Sequence, residues 1–84
     1  MNQDTEKQIE NLEQAAGQAG DIMMAAICQI ALLGQPKDGT FDALDADDRY
    51  KLQQEFGGLH CGWLSLKAEQ ECLRVIEDNK DRQS

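Results

Sequence analysis

Apolar residues recur along the first third of the chain at alternating steps of three and four positions. This spacing is typical of a helix that packs against another helix at a shallow angle. Gly34 and Pro36 follow and are residues that end helices. The pattern predicts one helix over about residues 5–33, roughly 43 Å long, with Thr5 and Gln8 as its capping box. The series consists of Ile9, Leu12, Ala16, Ala19, Met23, Ala26, Ile30 and Leu33.

A turn-rich connection is predicted over residues 34–45. Glycine, proline and the Asp38–Gly39 pair supply the backbone conformations that turns require. Phe41 and Leu44 are apolar, so we expect this connection to fold over the end of the helices. Aspartates favour helix N-termini, both as capping side chains and through the helix dipole. The candidate caps of the next helix are Asp42, Asp45 and Asp47.

A second apolar series predicts a helix over about residues 46–78, followed by a polar tail over 79–84 that frays. Gly57, Gly58 and Gly62 interrupt it, and each glycine costs a helix up to about 1 kcal/mol relative to alanine. Two interpretations stay open: the helix breaks near Gly57, or it is kinked but continuous. The continuous helix is slightly favoured. The series consists of Leu52, Phe56, Leu59, Trp63, Leu66, Leu73 and Ile76.

The two helices together predict an all-α fold, an antiparallel helical hairpin in a single domain over residues 1–84. Residues 22–33 are apolar on nearly every side, and a helix of that kind has to be buried on every side. One partner helix cannot cover it, so we expect the hairpin to homodimerise into a four-helix bundle. A groove for a foreign helix is the alternative. The residues expected at the dimer or partner interface are Met24, Cys28, Leu32, Tyr50 and Trp63.

Charge narrows the possible partners. The chain has 84 residues with 16 Asp and Glu against 8 Lys and Arg, a net charge of −8. This balance argues against direct binding of nucleic acid or of anionic membranes, both of which need basic side chains. Residues 1–36 and residues 37–48 each carry a net −4, whereas residues 49–84 are neutral. The excess charge either keeps a small apolar bundle soluble or forms an acidic face that docks on a basic surface. The residues of that docking face are Asp38, Asp42, Asp45, Asp47 and Asp48.

The sequence lacks a recognisable catalytic or metal-binding constellation. The only histidine, His60, adjoins Cys61, but neighbouring residues on a helix point about 100° apart, which suits neither a nucleophile–base pair nor a zinc site. Arg49 and Tyr50 stand where a calcium loop needs an oxygen ligand and a glycine. We therefore expect no enzymatic activity, no metal and no cofactor.

The N-terminus has no signal-peptide pattern, and no run of residues is long and apolar enough for a membrane span. The three cysteines are expected to be reduced, in a cytoplasmic protein. The predicted function is a small acidic interaction module, a homodimer that regulates or inhibits a larger protein. The alternative is an acidic inhibitor of the kind phages encode, an anti-CRISPR-like decoy that blocks a basic nucleic-acid-binding surface of a host protein.

Overall fold

Five helices make up the fold in the computed structural model, which describes residues 1–60 and 62–83. The predicted all-α class is confirmed, because the described residues contain no strand beyond an isolated bridge between Gly57 and Trp63. The prediction of two long helices is wrong, since each of them is divided. The helices are α1 (Gln3–Ala19), α2 (Ile22–Leu33), α3 (Asp38–Ala43), α4 (Ala46–Phe56) and α5 (Ser65–Gln83).

The predicted helix over residues 5–33 ends and restarts at Gly20 and Asp21. Gly20 has a φ of 76°, in the left-handed region that favours glycine. The backbone N–H of Asp21 donates to the Ala16 carbonyl at 2.8 Å, and that of Gly20 donates to the Gly17 carbonyl at 3.2 Å. These two bonds form the Schellman arrangement that closes a helix. The Asp21 carboxylate then accepts from the Met24 N–H at 3.0 Å and begins α2.

Helix α2 lies at the centre of the molecule. It packs most extensively against α1 and α5, and α3 and α4 also contact it. All residues from 25 to 31 are buried. The prediction that residues 22–33 are covered on every side holds for residues 25–31, whereas residues 22–24 and Leu32 are half-buried and Leu33 is 57% exposed. The cover of α2 comes from the same chain, however, so burial of α2 no longer requires a second copy.

The ends of the other helices depart from the sequence prediction in two cases and agree with it in two. The last helix, predicted to end at about residue 78 before a frayed tail, continues to Gln83. The cap of α1 is Asn2, whose Oδ1 accepts from the Thr5 N–H at 2.8 Å, so Thr5 is not the capping residue. Asp45 caps α4 through an equivalent 2.8 Å bond from the Asp48 N–H. Gly34 ends α2 as predicted. The connection that follows is partly helical, since it contains α3.

The second predicted helix breaks at Gly57, so the favoured continuous helix is wrong and the alternative is confirmed. The Gly57 N–H donates to the Gln53 carbonyl at 2.9 Å, and the Leu64 N–H donates to the Phe56 carbonyl at 2.8 Å. A Cβ at Gly57 would overlap the Gln53 carbonyl oxygen, so this turn requires glycine. The chain then reverses and brings Trp63 back beside Gly57.

The break also changes which side of the last helix is buried. Ala68 and Cys72 on α5 are fully buried, whereas Leu66 is 67% exposed and Leu73 is 36% exposed. The break at Gly57 shifts the phase of the apolar series, so Leu66 and Leu73 are exposed while Ile76 stays half-buried against the core. The small side chains at Ala68 and Cys72 instead suit close packing of α5 on α2.

No helix among the described residues combines the length and the hydropathy that crossing a bilayer requires.

Candidate functional site

A cleft of about 370 Å³ opens where three separate parts of the chain meet. One wall comes from the α2–α3 connection and α3, one from α4, and one from the turn between α4 and α5. Acidic, amide and aromatic side chains share it. The lining residues are Gln35, Pro36, Asp38, Phe41, Asp42, Gln53 and Trp63.

The position of α3 is fixed by a buried glutamine on α2. Gln29 is 3% exposed, and its Oε1 accepts from the Lys37 backbone N–H at 2.8 Å, directly before α3 begins. Its Nε2 donates to Thr40 Oγ1 at 2.9 Å and to Glu13 Oε2 at 3.0 Å. One side chain thereby connects α1, α2 and α3, and its buried amide has partners for both its oxygen and its nitrogen.

The two carboxylates of the cleft stand on the same side of α3. Asp38 and Asp42 are four residues apart, which places them one helical turn from each other. Both are exposed, and no ion pair involves either of them within residues 1–60 and 62–83. The neighbouring base, Lys37, lies 3.9 Å from Glu13 Oε2 instead. Since no lysine or arginine lines the cleft, its negative charge is not compensated locally.

Two aromatic rings complete the cleft. Phe41 on α3 and Trp63 in the turn before α5 lie edge to face, with ring centroids 6.1 Å apart and planes at 73°. Both side chains are half-buried and pack against the core. Trp63 is held on its backbone side by the bridge to Gly57. The sequence marked Trp63 and Asp42 as separate features, and the fold brings them together.

The five predicted acidic residues divide into two groups. Asp38 and Asp42 line the cleft. Asp45 is the cap of α4, while Asp47 and Asp48 lie in the first turn of that helix, where they interact favourably with its dipole. Asp45, Asp47 and Asp48 therefore stabilise the N-terminus of α4, and the capping role of Asp45 is among those predicted from the sequence.

The predicted apolar interface residues do not form one surface. Cys28 is fully buried in the core, and Met24 and Leu32 are half-buried against it. Tyr50 is 64% exposed on α4. Only Trp63 lies at the cleft. The large apolar side chains that are exposed near Leu32 are instead Met1 and Leu66, which line a shallow depression with it.

Cys28 and Cys72 meet in the core between α2 and α5. Their Sγ atoms are 3.7 Å apart in a thiol–thiol hydrogen bond, both side chains are fully buried, and both thiols are free. The hydrogen bond with Cys72, followed by burial, raises the pKa of the Cys28 thiol above its ordinary value. A thiol held in this way is protonated and unreactive at neutral pH.

Within residues 1–60 and 62–83, no group of three or more His, Cys, Asp or Glu side chains is arranged to hold a metal ion. His60 is exposed in the turn after α4. Its sequence neighbour Cys61, considered above as a possible partner in catalysis or zinc binding, lies outside the described residues.

Four residues of the cleft were not anticipated by the sequence analysis: Gln35, Pro36, Phe41 and Gln53. Phe41 was expected only to cover the end of the helices. No local pattern marks these positions, because they come together only once α3 and the turn at Gly57 have formed. No family model, no curated protein and no solved structure matches the chain.

Proposed function

We propose that this protein is a non-catalytic interaction module that binds a basic surface of a larger protein and thereby regulates or inhibits it. The observation that carries the proposal is the cleft, in which the uncompensated carboxylates of Asp38 and Asp42 adjoin the half-buried ring of Trp63. Tryptophan is enriched at binding hot spots, and complementary charge speeds association and fixes orientation.

Net charge supports the same partner class. The chain carries −8 overall, and residues 37–48, which include α3 and the start of α4, account for half of it. A surface of this sign repels phosphate backbones and attracts lysine-rich and arginine-rich protein surfaces. A partner that uses such a surface to bind nucleic acid would be blocked by occupation of that surface, which is the decoy function.

The proposal is tested by capture with variants that differ only at the cleft. We would immobilise the wild type, the Asp38→Asn/Asp42→Asn double variant and an Asp47→Asn/Asp48→Asn control, and expose each to lysate of cells that produce the protein. The double variants lose the same charge, but only the first alters the cleft. We expect a protein that the wild type and the control retain and the cleft variant loses.

Identical captured proteins for all three baits would contradict the proposal. The decoy function also predicts a property of the captured protein. The wild type should competitively inhibit the binding of that protein to nucleic acid, and the cleft variant should inhibit it much less. If the captured protein binds nucleic acid equally well in the presence of the wild type, the decoy function is wrong. The protein would then be a regulator that binds elsewhere on its partner.

Homodimerisation remains a prediction. It was first argued from the apolar surface of α2 that one partner helix cannot cover, and in the structure both α1 and α5 pack against α2. Light scattering after gel filtration tests it directly. A dimer gives twice the chain mass of 9.4 kDa. A measured molecular mass of 9.4 kDa at micromolar concentration would instead show that the protein acts as a monomer.

A further inference from the structure

The cleft at α3 has features that favour one kind of basic side chain over another. This preference makes the function proposed above more specific, and it rests on that function. Asp38 and Asp42 provide carboxylate oxygens from the same side of α3, and the side-chain amides of Gln35 and Gln53 provide further acceptors. The aromatic rings of Phe41 and Trp63 stand beside them. The cleft therefore combines several hydrogen-bond acceptors with an aromatic surface.

We infer that this cleft binds one arginine side chain of the partner in preference to lysine. A guanidinium group is planar, stacks on aromatic rings and donates up to five hydrogen bonds in a fixed fork. A lysine ammonium is a compact and more strongly hydrated charge that uses only the electrostatic part of this site. Trp63 lies on a different wall of the cleft from Asp38 and Asp42, so a guanidinium between the walls can stack on its ring and donate to the carboxylates.

The size of the cleft agrees with a single side chain. Its volume of about 370 Å³ is near the lower end of the range of roughly 300–1,000 Å³ that ligand pockets occupy. The acceptors also lack competing bases, because the nearest lysine in sequence, Lys37, contacts Glu13 at 3.9 Å. An incoming arginine would therefore not have to displace an internal ion pair within the described part of the chain.

The experiment uses three capped pentapeptides in which the central residue, flanked by two glycines on each side, is arginine, lysine or citrulline. Citrulline has the shape of arginine without its charge. Each peptide is titrated into the ¹⁵N-labelled protein, and the indole N–H of Trp63 reports on binding because the chain has one tryptophan. We expect saturable shifts for the arginine peptide, with affinity at least about fivefold higher than for lysine.

Two single variants locate the site. Asp42→Asn should weaken arginine binding about threefold to tenfold, whereas Asp47→Asn removes the same charge outside the cleft and should leave the affinity unchanged. Retained helical circular dichroism shows that each variant is folded. Binding that Asp42→Asn leaves intact would overturn the inference.

Equal affinity for the arginine and lysine peptides would also overturn it, while leaving the proposed electrostatic docking in place. Saturable binding of the citrulline peptide with the same affinity would overturn it as well, since charge would then be irrelevant. Failure of the proposed function itself would be seen in the capture experiment, when the Asp38→Asn/Asp42→Asn variant retains the same proteins as the wild type.

Discussion

Gln29 is the residue on which the position of α3, and hence the cleft, depends. Its amide has three hydrogen bonds of 2.8 to 3.0 Å, to Lys37, Thr40 and Glu13. It is not among the candidate residues predicted from the sequence, because it lies inside an apolar series. A glutamine among eleven apolar neighbours in α2 was nevertheless a signal, since a polar side chain there has to find partners.

Replacement of this glutamine should therefore be costly. We expect Gln29→Leu to lower the free energy of unfolding by about 1–3 kcal/mol, because the Lys37 N–H loses its acceptor in a part-buried position. Urea denaturation followed by circular dichroism measures this change. Gln14→Leu, at an exposed position of α1, is the control and should stay within about 0.5 kcal/mol of the wild type.

The buried thiol of Cys28 makes stability depend on alkaline pH. Its pKa is raised in the folded protein by the bond with Cys72 and by burial, whereas in the unfolded chain it titrates near its ordinary value of about 8.5. Its contribution is thus complete below about pH 8.5 and is lost as pH rises further, by at most about 1.4 kcal/mol per pH unit. Urea denaturation between pH 7 and 10 should show this decline.

The matched variant for that pH profile is Cys28→Ala/Cys72→Ala, which removes both buried thiols, because the bond with Cys28 is what lowers the pKa of Cys72 and a lone buried Cys72 would titrate in place of Cys28. It should be less stable than the wild type at pH 7, since it leaves a small cavity in the core. Its stability should nevertheless fall less steeply above pH 8.5. Parallel profiles for the two proteins would show that the pair of thiols does not titrate differently in the folded and unfolded chains.

At the scale of the elements, the break between α1 and α2 distinguishes the observed fold from a long helical hairpin. Gly20 has a φ of 76°, and Gly17 lies within α1 with open space around its Cα. We expect Gly17→Ala to stabilise the protein by up to about 1 kcal/mol through helix propensity, and Gly20→Ala to destabilise it by about 1–2 kcal/mol. Thermal unfolding of both variants measures the difference.

A continuous helix over residues 5–33 would give a different result, because both substitutions would then replace glycine by alanine inside a helix. Stabilisation by Gly20→Ala would therefore contradict the break. The two positions are three residues apart, so the comparison isolates backbone conformation from composition.

The sequence predicted the helical class and the positions that end α2 and begin α4, because these depend on local preferences of glycine and aspartate. It missed the break at Gly20, although glycine followed by an aspartate three residues before Met24 is a termination and capping signal. The regular apolar series through Ala16, Ala19 and Met23 obscured it. The cleft was predictable only in its parts, since Trp63 and Asp42 are 21 positions apart and meet through two turns.

At the scale of the whole molecule, the chain builds its core around α2 without a second copy. Seven consecutive residues of that helix are buried by other helices of the same chain. We therefore expect the single chain to fold on its own, so that at concentrations where light scattering finds only the monomer the urea midpoint is independent of protein concentration. A midpoint that rises with concentration in that range would show that folding is linked to association.

The acidic surface is likewise a property of the whole molecule, since its carboxylates come from both α3 and the start of α4. Its charge should matter most during the approach of the partner, because long-range attraction acts on the association rate and is screened by salt. Asp45 at the cap of α4, with Asp47 and Asp48 in its first turn, contributes to this attraction without lining the cleft.

The most direct test of the proposed docking is the association rate constant of the wild type with the protein it captures, measured by stopped flow at increasing salt. We expect a decrease of about tenfold or more between 50 and 500 mM salt, and a slower rate with a weaker salt dependence for Asp38→Asn/Asp42→Asn. An association rate that is the same at both salt concentrations would contradict docking of an acidic surface on a basic one.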